Sequence, residues 1–358
     1  MVKNNPVVSV ILLNWNGIRY TVPCLKSLKK QSYKNFEIIV VDNGSTKDNS
    51  VEILKKTKGI KLVLNSKNLG FASGNNVGVK ASSATKYIAF LNNDTTVSRD
   101  WLKELVGVME ANPELGEAES KIYNKYYNKK YQFDYYGTPT HLLFVSEYDF
   151  DVSEKKYVPM FSTSGAAMIY RKNLVEIPFD DDYFMYNEDS YLGWLLRLKG
   201  YKAGVVPKAK VYHEGEATIK SVKGMSNFFT YLGERNRLMN LFIFYSPLTL
   251  LKMLPLILLT IFFINVYDFK KIPSRLKSYL WLLTHAFSIL SKRFKIQKQR
   301  KVPDSKITPY LSSKLFEVKY FKNKSAKLVA KLLNGFSFAY CKLMGIKSVE
   351  FNREEAGF

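Results

Sequence analysis

Four apolar runs recur early in the chain, at 7–15 (VVSVILLNW), 36–43 (FEIIVVDN), 60–65 (IKLVLN) and 87–94 (YIAFLNND). Each is short, rich in Val, Ile, Leu and Phe, and apolar at consecutive positions, so each reads as a strand buried on both faces. More polar segments with helix signals separate them. The first helix is predicted from a Thr21 cap through Pro23 to about Lys30; the second follows STKDNS (45–50) and the third covers about Asn75 to Ser82. This alternation predicts an α/β chain, with a mostly parallel sheet and helices on both faces.

After Asp94 the regularity fades. A helix is expected from about Asp100 to Ala111, a strand in STSGAAMIYR (162–171), a helix after MYNEDS (185–190) to about Lys199, a strand at 202–213, and further helix from about Ser221. The Tyr-rich stretch 123–160 gives no clear strand boundaries. From Leu238 to Tyr267 the chain is apolar apart from Asn240, Lys252 and Asn265, with Pro247 and Pro255 inside the run. The unbroken part, Met253 to Tyr267, would reach only about 22 Å as a helix, against a hydrocarbon core of roughly 30 Å. A full crossing would carry Lys252 near its middle at a cost of roughly 3 kcal/mol. A kinked in-plane or re-entrant segment is therefore expected.

A length of 358 residues exceeds the usual single domain. The expected division is a domain at 1–237, with halves at about 1–115 and 116–237, then an apolar region at 238–290 and a basic helical region at 291–358. The net charge of +23 calls for an acidic partner: nucleic acid, an anionic membrane surface or a phosphorylated substrate. Residues 268–358 hold 20 Lys and Arg against 6 Asp and Glu, densest at SKRFKIQKQRK (291–301), beside the apolar YLWLLTHAFSIL (279–290). That pairing favours an anionic membrane surface, and no recognition motif accompanies the charge to suggest nucleic acid. Cys24 and Cys341 form neither a disulfide framework nor a zinc spacing, which fits a reducing, cytosolic environment. No secretory signal is evident, because the early apolar run is short and follows a proline.

Several stretches carry candidate chemistry. In FLNNDTTV (90–97) an apolar run stops on two amides and a carboxylate. Strand carboxyl ends are where open α/β sheets bind ligands, although Asn and Asp are also ordinary turn formers. In VVDNGSTKDNS (40–50), Asp42 could accept a hydrogen bond from the imide N–H of uracil or thymine, with Asn43, Gly44 and Ser45 forming a tight turn. In NLGFASGNNVG (68–78), Gly70, Gly74 and Asn75 could turn backbone amides toward a diphosphate, though the stretch fits neither the dinucleotide fingerprint nor the P-loop. Asp94, with Asn92 two positions earlier, could hold a hard divalent ion, with His213 completing the set. Glu188 and Asp189 occupy the first turn of a helix, where the macrodipole favours them in any case; the functional alternative is a general base. Trp194, Leu195 and Leu198 fall at packing positions of that helix.

Together these stretches resemble the family 2 glycosyltransferases with the GT-A fold, especially the rhamnosyl- and galactofuranosyltransferase-like subgroup. Five motifs occur in order between about Val7 and Asn240: VVSVILLNWNG, VVDNGSTKDNS, NLGFASGNN, LNNDT and YFMYNEDS. The resemblance implies inverting transfer from a UDP- or dTDP-linked sugar, with Mg2+ or Mn2+, to a hydroxyl of a lipid-linked or envelope glycan at the cytoplasmic face of the membrane. It implies a nucleotide site of Asn14, Asn16, Asp42, Gly44, Ser45, Asn68, Gly70, Phe71, Asn75 and Asn93, with Asp42 reading the base. It implies metal ligation by Asn92, Asp94 and His213, catalysis by Asp189 with Glu188 beside it, and an acceptor site around Gly165, Ala166 and Trp194. ERNRL (234–238) resembles the segment that closes over the diphosphate, through Arg235 and Asn236.

Two departures stand out. Asn92 replaces the first aspartate of the usual metal pair, and Tyr191 and Leu195 stand where many relatives carry Asp and Arg. They leave room for a polyprenyl-phosphate sugar synthase, or for a non-catalytic transferase-like protein that binds lipid or nucleic acid. A sugar nucleotidyltransferase fits less well, because LNWNGIRYT does not resemble a triphosphate loop.

Overall fold

The computed structural model describes residues 6–125, 131–133, 137–147, 156–215 and 225–356. The four expected strands are present as β1 (Val8–Asn14), β2 (Phe36–Asp42), β3 (Lys61–Leu64) and β4 (Tyr87–Leu91). The sheet continues through β5 (Thr95–Val97), β6 (Leu115–Lys125), β7 (Tyr131–Phe133), β10 (Val158–Met160), β11 (Ala167–Arg171) and β12 (Lys202–His213). A separate hairpin pairs β8 (Gly137–Pro139) with β9 (Val145–Glu147). The main sheet runs β10-β12-β6-β11-β4-β1-β2-β3, with β5 on β12 and β7 on β6. From β3 to β4 every pairing is parallel; β11 then enters antiparallel between β4 and β6, so the far half is mixed. The parallel half brings Asn14, Asp42 and the turn after Leu91 to one edge.

Helices cover both faces, as the doubly apolar strands require. On one side α1 (Ile18–Lys29) and α4 (Trp101–Ala111) bury Leu25, Leu28, Leu102 and Leu105. On the other lie α3 (Gly70–Lys80), α5 (Glu188–Leu198) and the chain beyond the sheet; the short α2 (Ser50–Lys56) precedes β3.

Two helix starts differ from expectation. Thr21 does not cap α1: it lies inside the helix, and its hydroxyl donates to Asn14 Oδ1 at 2.7 Å. The glycine-rich stretch expected as a loop is already helical from Gly70, with the Asn68 side chain accepting from the Gly70 amide at 2.8 Å. Its small residues serve close packing, since a Cβ on Gly78 would lie 2.5 Å from Ile11 of β1.

The helix expected from about Ser221 is described from Ser226, as α6 (Ser226–Phe244); residues 221–224 lie outside the described residues. The domain boundary drawn at 237 falls within this helix. Trp194 of α5 is fully buried, stacked on Phe244 at 5.2 Å and edge-on to Tyr245 at 4.7 Å. After α6 come α7 (Pro247–Tyr267), α8 (Ile272–Thr284), α9 (Ala286–Gln297) and α10 (Lys324–Leu343). Helix α7 runs unbroken through Lys252 and Pro255, longer than the Met253–Tyr267 stretch expected to be uninterrupted. Its 21 residues are long and apolar enough to cross a membrane, at about 31 Å of helix.

α5 presses closely on the strand leading to the site. Glycine in a helix interior ordinarily costs about 1 kcal/mol relative to alanine. At Gly193 the sign reverses, because a Cβ there would fall inside the Ser162 side chain and 2.8 Å from its Cα. Gly193→Ala is expected to lower stability by about 1–3 kcal/mol, read as a shift of the denaturant midpoint at constant m-value.

Candidate active site

The parallel register sets Asn14 beside Asp42, and the two carry a buried polar network at the strand ends. Asn14 Nδ2 donates to Asp42 Oδ2 at 2.7 Å. The other carboxylate oxygen accepts the Ser45 amide at 2.9 Å, while the Ser45 hydroxyl donates to Oδ2 at 2.8 Å. Asn14 Oδ1 accepts from Thr21 and Asn93. Asn16, in a left-handed conformation with φ 48°, accepts the Thr46 and Lys47 amides and so pins the following turn. Asn43 ties the neighbouring loop, accepting the Leu69 amide and donating to Asn68 Oδ1 and Gly70 O.

Above this network is a cavity of about 540 Å3, lined among others by Trp15, Asn43, Asn68, Gly70, Phe71, Asn92, Asn93, Asp94, Phe184, Glu188 and Asp189. Gly70 permits its floor: the residue has φ 80°, and a Cβ would collide with Phe184. The Phe71 amide donates to Phe184 O at 2.6 Å. The Gly70 and Phe71 amides at the start of α3 are thus taken up by Asn68 and Phe184, which leaves these two unavailable to the diphosphate expected there.

β12 ends between two strands, pairing His213 with Asn124 of β6 and with Thr95 of β5. His213 Nε2 consequently lies 3.1 Å from Asp94 Oδ1, while its Nδ1 is 2.7 Å from Asn124 Oδ1. Asn92 lines the same cavity. A histidine whose second nitrogen is oriented by an oxygen acceptor suits metal ligation. Among the described residues no group of three or more His, Cys, Asp and Glu is placed for a metal. Asp94, His213 and Asn92 line one cavity together, and their oxygen and imidazole groups are of the kinds a hard cation accepts alongside ligand and water oxygens.

α5 starts from an unusual turn. Tyr186 and Asn187 are both left-handed, with φ 73° and 63°, a conformation that costs non-glycine residues about 1–3 kcal/mol each. Asn236 holds the turn, donating to Met185 O at 3.0 Å and Tyr186 O at 2.8 Å, and Asn240 donates to Asn187 O at 2.9 Å. Arg235 is likewise spent, on Asp182 O, Asn236 and the Trp281 ring. Among the described residues neither Arg235 nor Asn236 lines the cavity above or the larger one that meets it, and the hydrogen bonds of both side chains support the turn.

The Asp189 side chain accepts the Ser190 amide at 2.7 Å and the Gly165 amide at 3.5 Å. Burial weakens both acids of the pair: Glu188 is pushed up to about 8 by desolvation, with Asp189 adding to it, and one Glu188 oxygen has no partner. Asp189 is raised too, by burial, but its amide donors oppose the shift.

A second cavity of about 910 Å3 meets the first, sharing Ser164, Ala166, Tyr186, Asp189, His213 and Phe229 with it. Its further lining includes Glu119, Asn124, Glu234, Arg237, Ile264 and Arg275. Glu119 and Glu117 are pushed up to about 8 by burial. They were not anticipated from the sequence, although two acids at alternate positions of one strand share a face and would have marked the site.

Of the expected site residues, Asn68, Gly70, Phe71, Asn92, Asn93, Asp94, Gly165, Ala166, Glu188, Asp189 and His213 line these cavities. Asn14, Asn16, Asp42, Gly44 and Ser45 lie in or beside the network underneath, and Asp42 is 1% exposed. Asn75 is turned back on Phe71 O. Trp194 belongs to the core, and its replacement of an acceptor contact by aromatic packing corrects the sequence reading. Tyr191 and Leu195 also face this packing, against Phe244 and its surroundings.

Residues 9–177 match the family model described as glycosyl transferase family 2. This segment, a little under half of the chain, is similar to that family. An uncharacterized glycosyltransferase of Haemophilus influenzae is 28% identical over 256 residues, covering 65% of this chain and 76% of its own length. An uncharacterized glycosyltransferase of Rickettsia conorii is 40% identical over 113 residues, 31% of this chain and 18% of its own. The crystal structure of GalNAc-T7 with UDP, GalNAc and Mn2+ superposes with a TM-score of 0.57 at 13% identity, covering 68% of this chain and 49% of that one. The chain thus shares the GT-A fold, followed by an apolar helix compatible with membrane association. It spans most of the Haemophilus relative but under half of the other two proteins.

The chain buries Glu117 fully, with Oε1 accepting the Thr163 amide at 3.2 Å and Oε2 unpartnered. Its folded pKa of about 8 exceeds the ordinary 4.5, so between those values the native state holds a proton that the unfolded chain has lost. The contribution is fully present below pH 4.5 and is lost as pH rises through about 8. Glu117→Gln is expected to flatten this decline, by at most about 1.4 kcal/mol per pH unit. Denaturation of both proteins across the window measures it.

Proposed function

We propose that the protein is an inverting glycosyltransferase that moves a sugar from a UDP- or dTDP-linked donor to a hydroxyl of a lipid-linked or cell-envelope glycan. One observation carries the reading: two cavities, of about 540 and 910 Å3, meet at Asp189 and His213. The smaller is read as the donor site and the larger as the acceptor site. Trp15, Phe71 and Phe184 offer apolar surface to the donor, and Asn43, Asn68 and Asn93 offer amide groups. Asp42, read as the base-recognising aspartate, would act from beneath the 43–45 turn, which the base would have to displace.

Asp94, His213 and Asn92 would hold Mg2+ or Mn2+, which when bound neutralises charge on the departing diphosphate. The remaining work falls to the chain itself. Asp189 takes the proton of the acceptor hydroxyl as that oxygen bonds to the anomeric carbon; the bond from carbon to diphosphate oxygen breaks, and the nucleoside diphosphate leaves with the electron pair. A single displacement inverts the anomeric configuration. Glu188, kept protonated by burial, leaves the negative charge of the pair on Asp189. Glu119 faces the acceptor as a hydrogen-bonding group. The reaction is read as occurring at the cytoplasmic face of the cell membrane, supported by the charge of +23 and the apolar helix α7.

Release of nucleoside diphosphate from a panel of UDP- and dTDP-sugars, with and without Mn2+, tests the reading. No metal-dependent release or thermal stabilisation with any donor would overturn it. Asp94→Ala is expected to abolish metal-dependent nucleotide binding, measured calorimetrically. Asp189→Asn should leave donor binding in place and slow turnover by roughly 10²- to 10⁴-fold; full turnover in that variant removes the base assignment.

A further inference from the structure

Helices α8 and α9 follow one another across His285, whose amide bonds to Trp281 O at 3.0 Å. Their inner side carries the buried Arg275, Ser278, Ile289 and Ile296. Their outer side exposes Leu276, Leu280, Leu283, Phe287, Leu290 and Phe294, between 38% and 90% accessible. Steps of four and three residues place these six on one continuous stripe. The outer face of α7, from Leu248 to Val266, is apolar and exposed in the same way. An apolar surface of this extent is a docking site in a well-behaved protein.

Charge selects the occupant. From Phe269 to Pro303 there are ten Lys and Arg and no Asp or Glu; Lys277, Lys295 and Lys298 are exposed on or beside the stripe. A helix seam against a second copy would set these positive stretches face to face, whereas paired helices ordinarily alternate opposite charges at their flanks. Anionic headgroups complement the stretch, at about 1 kcal/mol per basic residue near the surface.

The attachments of α7 decide how it meets the bilayer. Ser246 N, at its start, donates to Asp304 at 2.8 Å; Tyr267, at its end, accepts the Lys322 amide at 3.2 Å; and Lys252 donates to Met344 O at 2.7 Å. The segment 304–322 therefore accompanies the helix from end to end, with Asp304, Lys306, Lys314, Glu317, Lys319 and Lys322 along it. A crossing helix would draw this charged segment into hydrocarbon, at roughly 3 kcal/mol for each charge near the centre.

We propose that the outer faces of α7, α8 and α9 form a monotopic docking surface for an anionic lipid bilayer, with the helices lying in the plane of the headgroups. The proposal rests on the membrane-surface reading above and is independent of the donor chemistry. It also bears on the acceptor. Arg275, next to Leu276, and Ile264 of α7 line the larger cavity, so docking sets the acceptor site against the surface where a lipid-carried glycan resides.

Flotation of the full chain with vesicles of phosphatidylcholine, alone or with phosphatidylglycerol, tests this. The wild type is expected to float with the anionic vesicles and to be released by salt. A Leu280→Glu, Leu283→Glu, Phe287→Glu variant should weaken flotation by at least about tenfold. A Lys277→Glu, Lys295→Glu, Lys298→Glu variant should lose only the preference for anionic vesicles. Unchanged nucleoside diphosphate release in both variants shows that the domain is folded, and flotation without any such release would leave docking standing while removing the transferase reading. Wild type that floats with neither vesicle overturns the proposal. So does an apolar variant that floats like wild type, or a wild-type dimer in light scattering that the same substitutions dissolve.

Discussion

Two asparagines on one face of α6 hold the catalytic half of the molecule in register. Tyr186 and Asn187 adopt left-handed backbone without glycine, and their carbonyls, with that of Met185, accept from Asn236 and Asn240. Both amides are completely buried, where an unmade hydrogen bond costs about 1–3 kcal/mol. The clamp and the strain are thus of one size, and each explains the other's persistence. Tyr183 adds its hydroxyl to Asn240 at 2.6 Å. Because Glu188 and Asp189 follow directly, a helix lying beyond the sheet in sequence decides where the proposed base stands.

The electrostatic design separates signs by depth. Glu117, Glu119, Glu188 and Asp189 are all driven toward their neutral forms by burial, and amide donors at Glu117, Glu119 and Asp189 oppose that shift. Arg197, buried beside Glu117, donates to Phe161 O at 3.1 Å and lies 3.6 Å above the Tyr310 ring. Its charge is held by carbonyl dipoles and an aromatic face, which substitute in part for water. Outside, the long basic side chains remain solvated. An interior poor in net charge preserves the basicity of one carboxylate, and an exterior rich in positive charge is free to attract anionic surfaces or donors.

The parallel half of the fold was legible because β1, β2 and β4 are largely buried on both faces and end abruptly in polar residues, while β3 lies half-exposed at the sheet edge; Asp42 and Asp94 could be placed at strand ends from that pattern. The mixed half was not, since β6 lies between β11 and β12, strands that follow much later in the chain. The alternation of Glu117 and Glu119 is a signal that the sequence carries, but the place of their strand beside the site is set only by its neighbours β11 and β12. Trp194, Asn75, Arg235 and Asn236 were misread for another reason. Motif spacing identifies a helix and its neighbourhood but not the direction of each side chain, and here Gly193 lets α5 approach so closely that Trp194 is turned into the core.

Replacement of the usual first aspartate by Asn92 changes the charge of the proposed metal site more than its shape. With Asp94 as the one anionic donor among Asn92, Asp94 and His213, a bound divalent ion would retain a net positive charge of one. Such a centre attracts a diphosphate more strongly than a neutral one would, and releases the nucleoside diphosphate product less readily. The orientation of His213 by Asn124 compensates in rigidity for what is missing in charge, because a preset imidazole loses less freedom on ligation. A protein-poor ligand set of this kind makes the donor itself part of the site, so metal and donor affinities should rise and fall together.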